Sequence, residues 1–307
     1  FTSGELHRGS LTSVDFFNAY TSIYNPTTKK SWTLKTAKMK GETLTWVFNF
    51  IFSLSAVMQN RMMSFSGVYA EYDALRAQSA PQLSVFDLGL NPPQKLDPET
   101  VARTEVVRVV QKLEIGGRPI DPKYEYTVAL PQGVLEAFDF LNTYFGNKVQ
   151  YSKLQDTGKE LWQILEEYVA QHSPILPGQI SRGDRMVPLQ SDLAVYNDEV
   201  TVKRAGGKVE LEVVVHNFGR RDSTKRVLGV AFDRTPINVV DDPNPDTDNV
   251  VKVVVPELKF SQRYTAKLVL DIPEHLRDKP LPIYVVLEAS QADALRGNEY
   301  TSLFVQP

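Results

Sequence analysis

The sequence contains no cysteine. Disulfide bonds, thiolate zinc sites and cysteine nucleophiles are therefore excluded, while either redox compartment remains open. Histidine is scarce as well, and the four residues of this type are His7, His172, His216 and His275. Because no two of them have the HxxxH or HExxH spacing that brings two imidazoles to one zinc ion, we expect all four to be structural.

Strong charge and long apolar runs are also lacking. The formal net charge of −3 and the pI near 5.9 give no reason to expect a nucleic acid partner, which requires a basic surface. The most apolar tract, residues 46–58, is shorter than the roughly 20 residues that cross a bilayer, so it predicts a buried helix and no transmembrane segment in this chain. No signal peptide is visible at Phe1, which we expect to follow an upstream segment.

Two common catalytic motifs are absent too. No GxSxG sequence is available for the nucleophile elbow of a serine hydrolase. Residues 204–211, RAGGKVEL, lack the spacing and the final Ser or Thr of a phosphate-binding P-loop, and they predict a hairpin turn instead. The sequence therefore identifies no catalytic residue in this chain.

Helix and strand patterns alternate over residues 1–175, which predicts an α+β domain. The predicted helices lie within residues 9–20, where Thr12 or Ser13 is the N-cap, within 41–54, where most of the surface is buried, and within 158–172, before Pro174. The predicted strands lie within residues 31–39, 63–73, 106–115 and 124–130.

The second half of the chain has a different pattern. Residues 176–191 lie in a stretch with three prolines, two glycines and no periodicity, which predicts a linker. From Asp192 to residue 307, strand patterns are separated by turns every 8 to 15 residues. This spacing predicts an all-β, immunoglobulin-like sandwich of about seven strands.

Four segments of the N-terminal domain resemble the C-terminal domain of the bacterial 5′-nucleotidase family. They are GSLTSVDFFNAY with LKTAKMKGETLTWVF, FSGVYAEYD, VQKLEIGGRPIDPKYEYTVAL, and TGKELWQILEEYVAQHSPI. The resemblance covers residues 3–175 apart from an apparent insertion around 76–100. Complete members of the family carry an upstream dimetal phosphoesterase domain, so the resemblance implies a secreted hydrolase of nucleotide catabolism. Its divalent metal pair would lie in that upstream domain, and no cofactor is expected in this chain.

The ligand-binding motifs of that family are altered here. The glycine-rich GGDGY loop corresponds to AFDFL, so that Phe138, Asp139 and Phe140 stand where glycines approach the nucleotide. Glycine permits close approach of the backbone to a ligand, whereas two phenylalanines would fill that space. The sequence therefore predicts a nucleotide site that is occluded, or rebuilt for a different ligand.

Two further parts of the family's site also differ. Met62 and Lys159 stand near the positions of the two aromatic residues that stack on the base, and neither side chain offers an aromatic face. For the arginine that binds phosphate, the resemblance implies His7 or Arg8 as the replacement.

Residues 192–306 resemble the CARDB type of β-sandwich found in cell-surface proteins of bacteria and archaea. The resemblance includes the V-x-N-x-G turn at Val215 to Gly219. Such domains space or attach other parts of a protein. The pairing of the two domains therefore implies a secreted, periplasmic or cell-surface protein with other cell-envelope components as partners.

Two charged loops have alternative interpretations. Asp241, Asp242, Asp246 and Asp248 place oxygen ligands densely enough for a calcium ion, but the segment lacks the glycine of an EF-hand loop, and a solvated loop is favoured. Residues 219–226, GRRDSTKR, could contact an anionic polymer, although a solvated hairpin end is favoured.

Two functional hypotheses follow from these patterns. The leading one is that the chain is the C-terminal part of a secreted 5′-nucleotidase-family metallophosphoesterase, whose hydrolytic chemistry belongs to the upstream domain. The rival is a non-enzymatic surface or envelope protein, structural or adhesive, that reuses the nucleotidase fold as a scaffold.

Overall fold

The computed structural model describes residues 10–19, 30–55, 65–78, 108–175, 185–232, 250–288 and 300–305. These residues fall into two compact units. The first unit contains the described residues within 1–48 and 120–181. The second unit contains the described residues within 49–80, 107–119 and 182–307. The units are not the same residue sets as the domains expected from the sequence, and the predicted domain limits remain a prediction.

The elements follow one another in this order: α1 (Ser13–Ala19), β1 (Thr33–Lys40), α2 (Gly41–Ser55), β2 (Val68–Tyr72), α3 (Ala74–Gln78), β3 (Val110–Ile115), β4 (Arg118–Pro119), β5 (Glu125–Pro131), α4 (Gln132–Phe145), β6 (Ser152–Glu160), α5 (Leu161–His172), β7 (Met186–Pro188), β8 (Leu193–Ala205), β9 (Lys208–Asn217), β10 (Arg226–Phe232), β11 (Val250–Val255), β12 (Arg263–Asp271), β13 (Leu281–Leu287) and β14 (Tyr300–Val305). A short 3₁₀ helix, Glu274–Leu276, precedes β13. No helix among the described residues has the length and apolarity needed to cross a membrane.

The first unit contains an antiparallel three-stranded sheet in the order β5-β1-β6. Helix α1 begins directly after Thr12, whose hydroxyl and backbone N–H both donate to the Asp15 carboxylate at 2.7 Å. A side chain at the third helical position that accepts from the backbone N–H of the N-cap residue is one half of a capping box. Of the two caps that the sequence left open, the structure therefore selects Thr12.

Glu160 connects the beginning of β1 with the beginning of α5. Its carboxylate accepts hydrogen bonds from the backbone N–H and the hydroxyl of Ser31, at 2.9 and 2.6 Å, and from the indole N–H of Trp162 at 3.1 Å. Glu160 and Gln163 also form a capping box at the start of α5. Burial acts to raise the pKa of Glu160, but these donors outweigh it and lower that pKa.

The second unit contains a small four-stranded sheet in the order β4-β3-β2-β7. Strand β7 lies inside the stretch predicted to be a linker and pairs in parallel with β2. The backbone of Ala70 donates to Arg185 at 2.7 Å, and that of Leu189 donates to Tyr72 at 2.8 Å. Since Val187 is completely buried, this short segment is part of the folded unit although its sequence has no periodicity.

Asn49 secures the start of β3 from the buried side of α2. Its side-chain oxygen accepts hydrogen bonds from the backbone N–H groups of Val109 and Val110, at 2.7 and 2.8 Å. These donors are buried, so leaving them unpaired would cost free energy. A polar residue in the middle of an apolar helix is thereby explained.

A β-sandwich forms the rest of the second unit. Among the described residues, one sheet has the order β12-β9-β8 and the other β11-β10-β13-β14, which confirms the prediction of a sandwich of about seven strands. Alternate residues of both sheets form one core, whose fully buried members include Val209, Leu228 and Ile283. The predicted hairpin turn is confirmed between β8 and β9, where Gly206 and Gly207 have φ angles of 57° and 81° that suit a two-residue primed turn.

The hydrogen bonds of Asn217 explain the asparagine of the V-x-N-x-G sequence. Its side chain is fully buried and uses its whole hydrogen-bonding capacity. The amide oxygen accepts from the backbone of Asp192 and Gly219, at 3.1 and 3.0 Å, and the amide nitrogen donates to the carbonyls of Arg221 and Leu258, at 2.8 and 2.9 Å. One side chain thus holds three separate segments of the chain together.

Gly219 is required by close packing at the same place. A Cβ atom at this position would lie 2.0 Å from the carbonyl oxygen of Gln190 and 2.6 Å from the backbone nitrogen of Asp192. No side chain can occupy that space without movement of the backbone. The asparagine and the glycine of the motif therefore serve one junction.

We predict that Asn217→Ala lowers the free energy of unfolding by about 3 to 5 kcal/mol, because it leaves buried donors and acceptors without partners. Asn217→Asp should be similarly damaging, since a carboxylate cannot donate to the two carbonyls. Urea denaturation followed by circular dichroism measures both. Asn197→Ala, at an exposed position of β8, is the matched control and should change stability by less than about 0.5 kcal/mol. Equal effects at 217 and 197 would contradict the role of this amide.

Candidate functional site

Residues 137–141, which the sequence resemblance aligns with a glycine-rich loop, are helical in this protein. Strand β5 leads without a loop into α4, which contains Phe138, Asp139 and Phe140. Only the first four N–H groups of an α-helix lack partners within the helix. Since α4 begins at Gln132, the N–H groups from residue 137 onward are hydrogen-bonded inside the helix and are not free to approach a ligand.

Helix α4 is amphipathic, and this determines where its aromatic side chains lie. Buried residues recur every three or four positions, at Leu135, Phe138, Leu141 and Phe145. Phe145 makes an edge contact with Trp46, with ring centroids 5.5 Å apart. Phe138 is only 5% exposed, whereas Phe140 is 38% exposed. The two phenylalanines therefore differ in environment, and only Phe138 belongs to the core.

Asp139 lies on the exposed side of α4 and accepts a hydrogen bond from the hydroxyl of Tyr151 at 2.8 Å. Burial first, and the neighbouring Asp139 second, raise the pKa of Tyr151. Asn142 fixes the same segment, because its side chain bonds both the N–H and the carbonyl of Val149 at 2.8 Å. The polar side of α4 thus holds the following turn against the helix.

Gly133 has a local structural role near the start of α4. A Cβ atom at this position would lie 2.1 Å from a carbon of the Trp32 ring. The glycine therefore permits the indole to pack on the first turn of the helix. Nothing in this contact requires a ligand.

The other predicted site residues are distributed differently. Lys159, in β6, forms an ion pair with Glu167 at 2.7 Å, and both side chains are about half exposed. His7, Arg8 and Met62, the four acidic residues Asp241, Asp242, Asp246 and Asp248, and most of the expected insertion at 76–100 lie outside the described residues. Their proposed roles therefore stay predictions. Within the described part of the chain, no three His, Asp or Glu residues lie close enough to hold a metal ion.

The basic segment 219–226 contributes to a charged cluster in the second unit. The guanidinium of Arg220 donates to Glu71 at 2.5 Å and to the hydroxyl of Tyr69 at 3.4 Å, and Tyr69 itself donates to Glu71 at 2.6 Å. The backbone of Arg220 also donates to Pro188 at 2.9 Å. Part of the predicted basic surface is therefore committed to holding the small sheet against the sandwich.

Ionisation in this cluster is shifted by burial and by the charges it contains. Burial, followed by Glu71, raises the pKa of Tyr69 to about 12. Burial acts to raise the pKa of Glu71, but the hydrogen bonds from Tyr69 and Arg220 outweigh it and lower that pKa. Glu71 is thus held as an anion and Arg220 as a cation across the pH range in which proteins function.

His216 is the most strongly perturbed histidine of the described residues. It is 5% exposed, and its ring lies 3.9 Å from that of Phe218. Burial first, and the charge of Arg263 second, lower the pKa of His216 to about 4. The imidazole is consequently neutral at pH 7 and serves as part of the packing.

Comparison with known proteins assigns no family to the chain. No family model and no curated protein sequence matches it. A CARDB domain from Pyrococcus furiosus, solved in complex with di-metal ions, is 14% identical over 38% of this chain and 94% of that one, with a TM-score of 0.30. A protein of the DUF3823 family from Bacteroides ovatus is 14% identical over 39% of this chain and 58% of that one, with a TM-score of 0.26.

A third similar structure is β-glucosidase 3B from Thermotoga neapolitana in complex with glucose. It is 12% identical over 38% of this chain and only 16% of its own length, with a TM-score of 0.24. The sequence identities and TM-scores of all three structures are low. The sandwich is therefore established by its own strand pairing and shared core.

We predict that Phe138→Ala lowers the free energy of unfolding by about 3 to 5 kcal/mol, because it opens a cavity under α4. Phe140→Ala, at a partly exposed position of the same helix, should cost less than about 1.5 kcal/mol. Urea denaturation of both variants measures the difference. If the two substitutions had equal effects, Phe138 would not be part of the core.

A second prediction concerns the pH dependence of stability. The unfolded chain protonates His216 near its ordinary pKa of 6.5, whereas the folded chain does so near 4, so stability present above pH 6.5 is lost as the pH falls towards 4. Relative to wild type, His216→Gln should reduce this loss by about 1 to 3 kcal/mol. Urea midpoints measured between pH 8 and 4 give the comparison. Parallel curves for the two proteins over the whole range would show that His216 does not titrate in this way.

Proposed function

We propose that this chain is a non-catalytic part of a larger secreted, periplasmic or cell-surface protein. In this proposal the β-sandwich spaces or attaches other parts of the protein, and the nucleotidase-like domain is kept as a scaffold. Other cell-envelope components are the proposed partners. The observation that carries the proposal is the continuous helix α4 in place of a ligand-binding loop.

The physical argument concerns the backbone around residues 137–141. A loop that binds a nucleotide offers free N–H groups and small side chains to the ligand. In α4 the corresponding N–H groups are bonded within the helix, and Phe138 is buried beneath it. Opening a binding site there would cost both the helix and part of the core, which favours a structural role for this segment.

A second feature supports a role in spacing. The second unit combines the sandwich with a small sheet, and Arg220 joins the two through its hydrogen bonds to Glu71 and Pro188. A module of this kind holds a fixed length and orientation between its ends. A spacer or attachment module requires this fixed length and orientation, whereas a hydrolase requires a catalytic site.

The second candidate function is the substrate domain of a 5′-nucleotidase-type phosphohydrolase. It is favoured by the succession of α1, β1, α2, β2, β3, β5 and α5, which is the order of the helices and strands predicted over the four resembling segments. The metal pair and the hydroxide that attacks phosphorus would then belong to an upstream metallophosphoesterase domain. DxH and GNH[DE] motifs in the sequence encoded before Phe1 would favour this candidate over the scaffold.

We expect the purified chain to bind adenosine, AMP and UMP no better than about millimolar, because the loss of two stacking partners removes roughly 2 to 6 kcal/mol. It should also release no phosphate from AMP with added manganese, cobalt or zinc. Isothermal calorimetry and a phosphate assay test the two points, with a complete 5′-nucleotidase as the positive control. Micromolar binding that is weakened by Asp139→Asn would instead favour the substrate-domain candidate.

A further inference from the structure

The first strand of the sandwich, β8, runs from one end of the sandwich to the other. It begins opposite Asn217, the last residue of β9, and it ends with Ala205 opposite Lys208. We call the first of these places the Asn217 end and the second, where the hairpin joins β8 to β9, the hairpin end. The chain therefore enters the sandwich at the Asn217 end.

The last strand, β14, follows the same direction on the other sheet. It pairs antiparallel with β13 and ends where Val305 lies opposite Leu281, the first residue of β13. Arg204, at the hairpin end of β8, donates to the carbonyl of Lys279 at 3.0 Å, two positions before β13 begins. The start of β13 and the last residue of β14 therefore lie at the hairpin end.

The chain thus enters and leaves the sandwich at opposite ends. Strand β9 alone joins the two ends with 10 residues, which corresponds to about 34 Å. A pull on the two flanking segments is directed along β8 and β14, in opposite senses. Because the hydrogen bonds of an antiparallel ladder are perpendicular to the strands, such a pull loads all the bonds of a ladder together.

The entry into β8 is held by bonds beyond the ladder itself. The backbone N–H of Asp192 donates to the Asn217 amide at 3.1 Å, and the carbonyl of Asp192 accepts from the N–H of Phe218 at 2.8 Å. Strand β8 is irregular between Val195 and Val200, but this part lies behind the anchored residue. Tension that arrives from the N-terminal side must break the anchorage before it reaches the irregular part.

The exit depends on a single ladder. Strand β14 lies at the edge of its sheet and pairs with β13 alone among the described strands. The six residues of β14 are all paired, from Tyr300 to Val305, and Leu303 and Val305 pack against the core. Since β14 has no second neighbour in its sheet, we expect its ladder to break before that of β8.

From these observations we propose that the sandwich is a load-bearing module, in which the two terminal strands carry tension lengthwise between the flanking segments. The inference rests on the proposed function and deepens it, since a module that spaces or attaches parts of a surface protein is placed under tension. With both termini at one end, the strands would instead peel apart one hydrogen-bonded pair at a time, under a smaller force.

The absence of cysteine from the chain allows a test by single-molecule force spectroscopy, with handles attached to the full chain at two introduced thiols. Asp222→Cys with Phe304→Cys pulls from the Asn217 end to the hairpin end, along β14. Ala205→Cys with Phe304→Cys places both handles at the hairpin end and peels β14 from β13. All three positions are exposed, and urea denaturation checks that the two double variants are equally stable.

At one loading rate, the first rupture force should be at least about twofold higher in the lengthwise geometry, because forced unfolding depends on the unfolding barrier. Equal forces in the two geometries, or a lower force along the strand, would overturn the proposal.

Two core variants then separate load from stability. Leu303 on β14 and Val253 on β11 are partly buried against the same core, on opposite edge strands of one sheet. Leu303→Ala and Val253→Ala should both lower the free energy of unfolding in urea. In the lengthwise geometry, however, only Leu303→Ala should lower the rupture force. A fall of equal size in both variants, or in neither, would mean that β14 does not carry the load.

The outcome of these tests is separate from that of the proposed function. Failure of the force measurements would leave a spacer that is not under load. Release of phosphate from AMP by the purified chain would remove the proposed function itself and would leave the measured forces unchanged.

Discussion

The second unit depends on the hydrogen bonds of one buried amide, that of Asn217. The sandwich sheets can pack only if the start of β8, the turn after β9 and the segment before β12 meet at one end, and this amide bonds to all three. The approach is so close that residue 219 must be glycine. From this junction Arg220 extends the connection to Glu71 and Pro188 of the small sheet.

Aromatic residues have different roles in α4 and in the sandwich. In α4, one side of the helix supplies core contacts through Phe138 and Phe145, while Phe140 stays at the surface. In the sandwich, Phe304 is 72% exposed on the outer face of its sheet, and Tyr284 on the same face is half-buried. Helical and strand periodicity separate these cases, because a residue's side of the element decides its environment.

Features that depend on local periodicity could be predicted from the sequence. The strands of the sandwich, the turn at Gly206 and Gly207, and the helix after residue 41 each have a pattern that extends over several residues and were predicted. Strand β7 was not predicted, because a strand of three residues is too short to show an alternating pattern. Its pairing with β2, at Ala70, also joins distant parts of the chain. His216 was predicted to be structural, but its burial was not predicted, since it results from packing against Phe218 at the end of β9.

The candidate site could be predicted only in part, for a similar reason. The presence of Phe138 and Phe140 where the resemblance expects glycines was legible in the sequence, but the helical conformation of residues 132–145 was not. Likewise, the contact of Gly133 with Trp32 joins residues about a hundred positions apart, and no local pattern encodes it. The charged cluster of Arg220 with Tyr69 and Glu71 joins residues even farther apart.

The parallel pairing of β7 with β2 has a consequence for the order of folding. Gln190, just after β7, bonds to Asp73 across 117 positions of the chain, so the edge of β2 stays unpaired until β7 has left the ribosome. Contacts of such long range must close a large loop before they contribute stability, and they slow folding for this reason. While the chain is being synthesised, the unpaired edge of β2 is a surface that chaperones would need to protect.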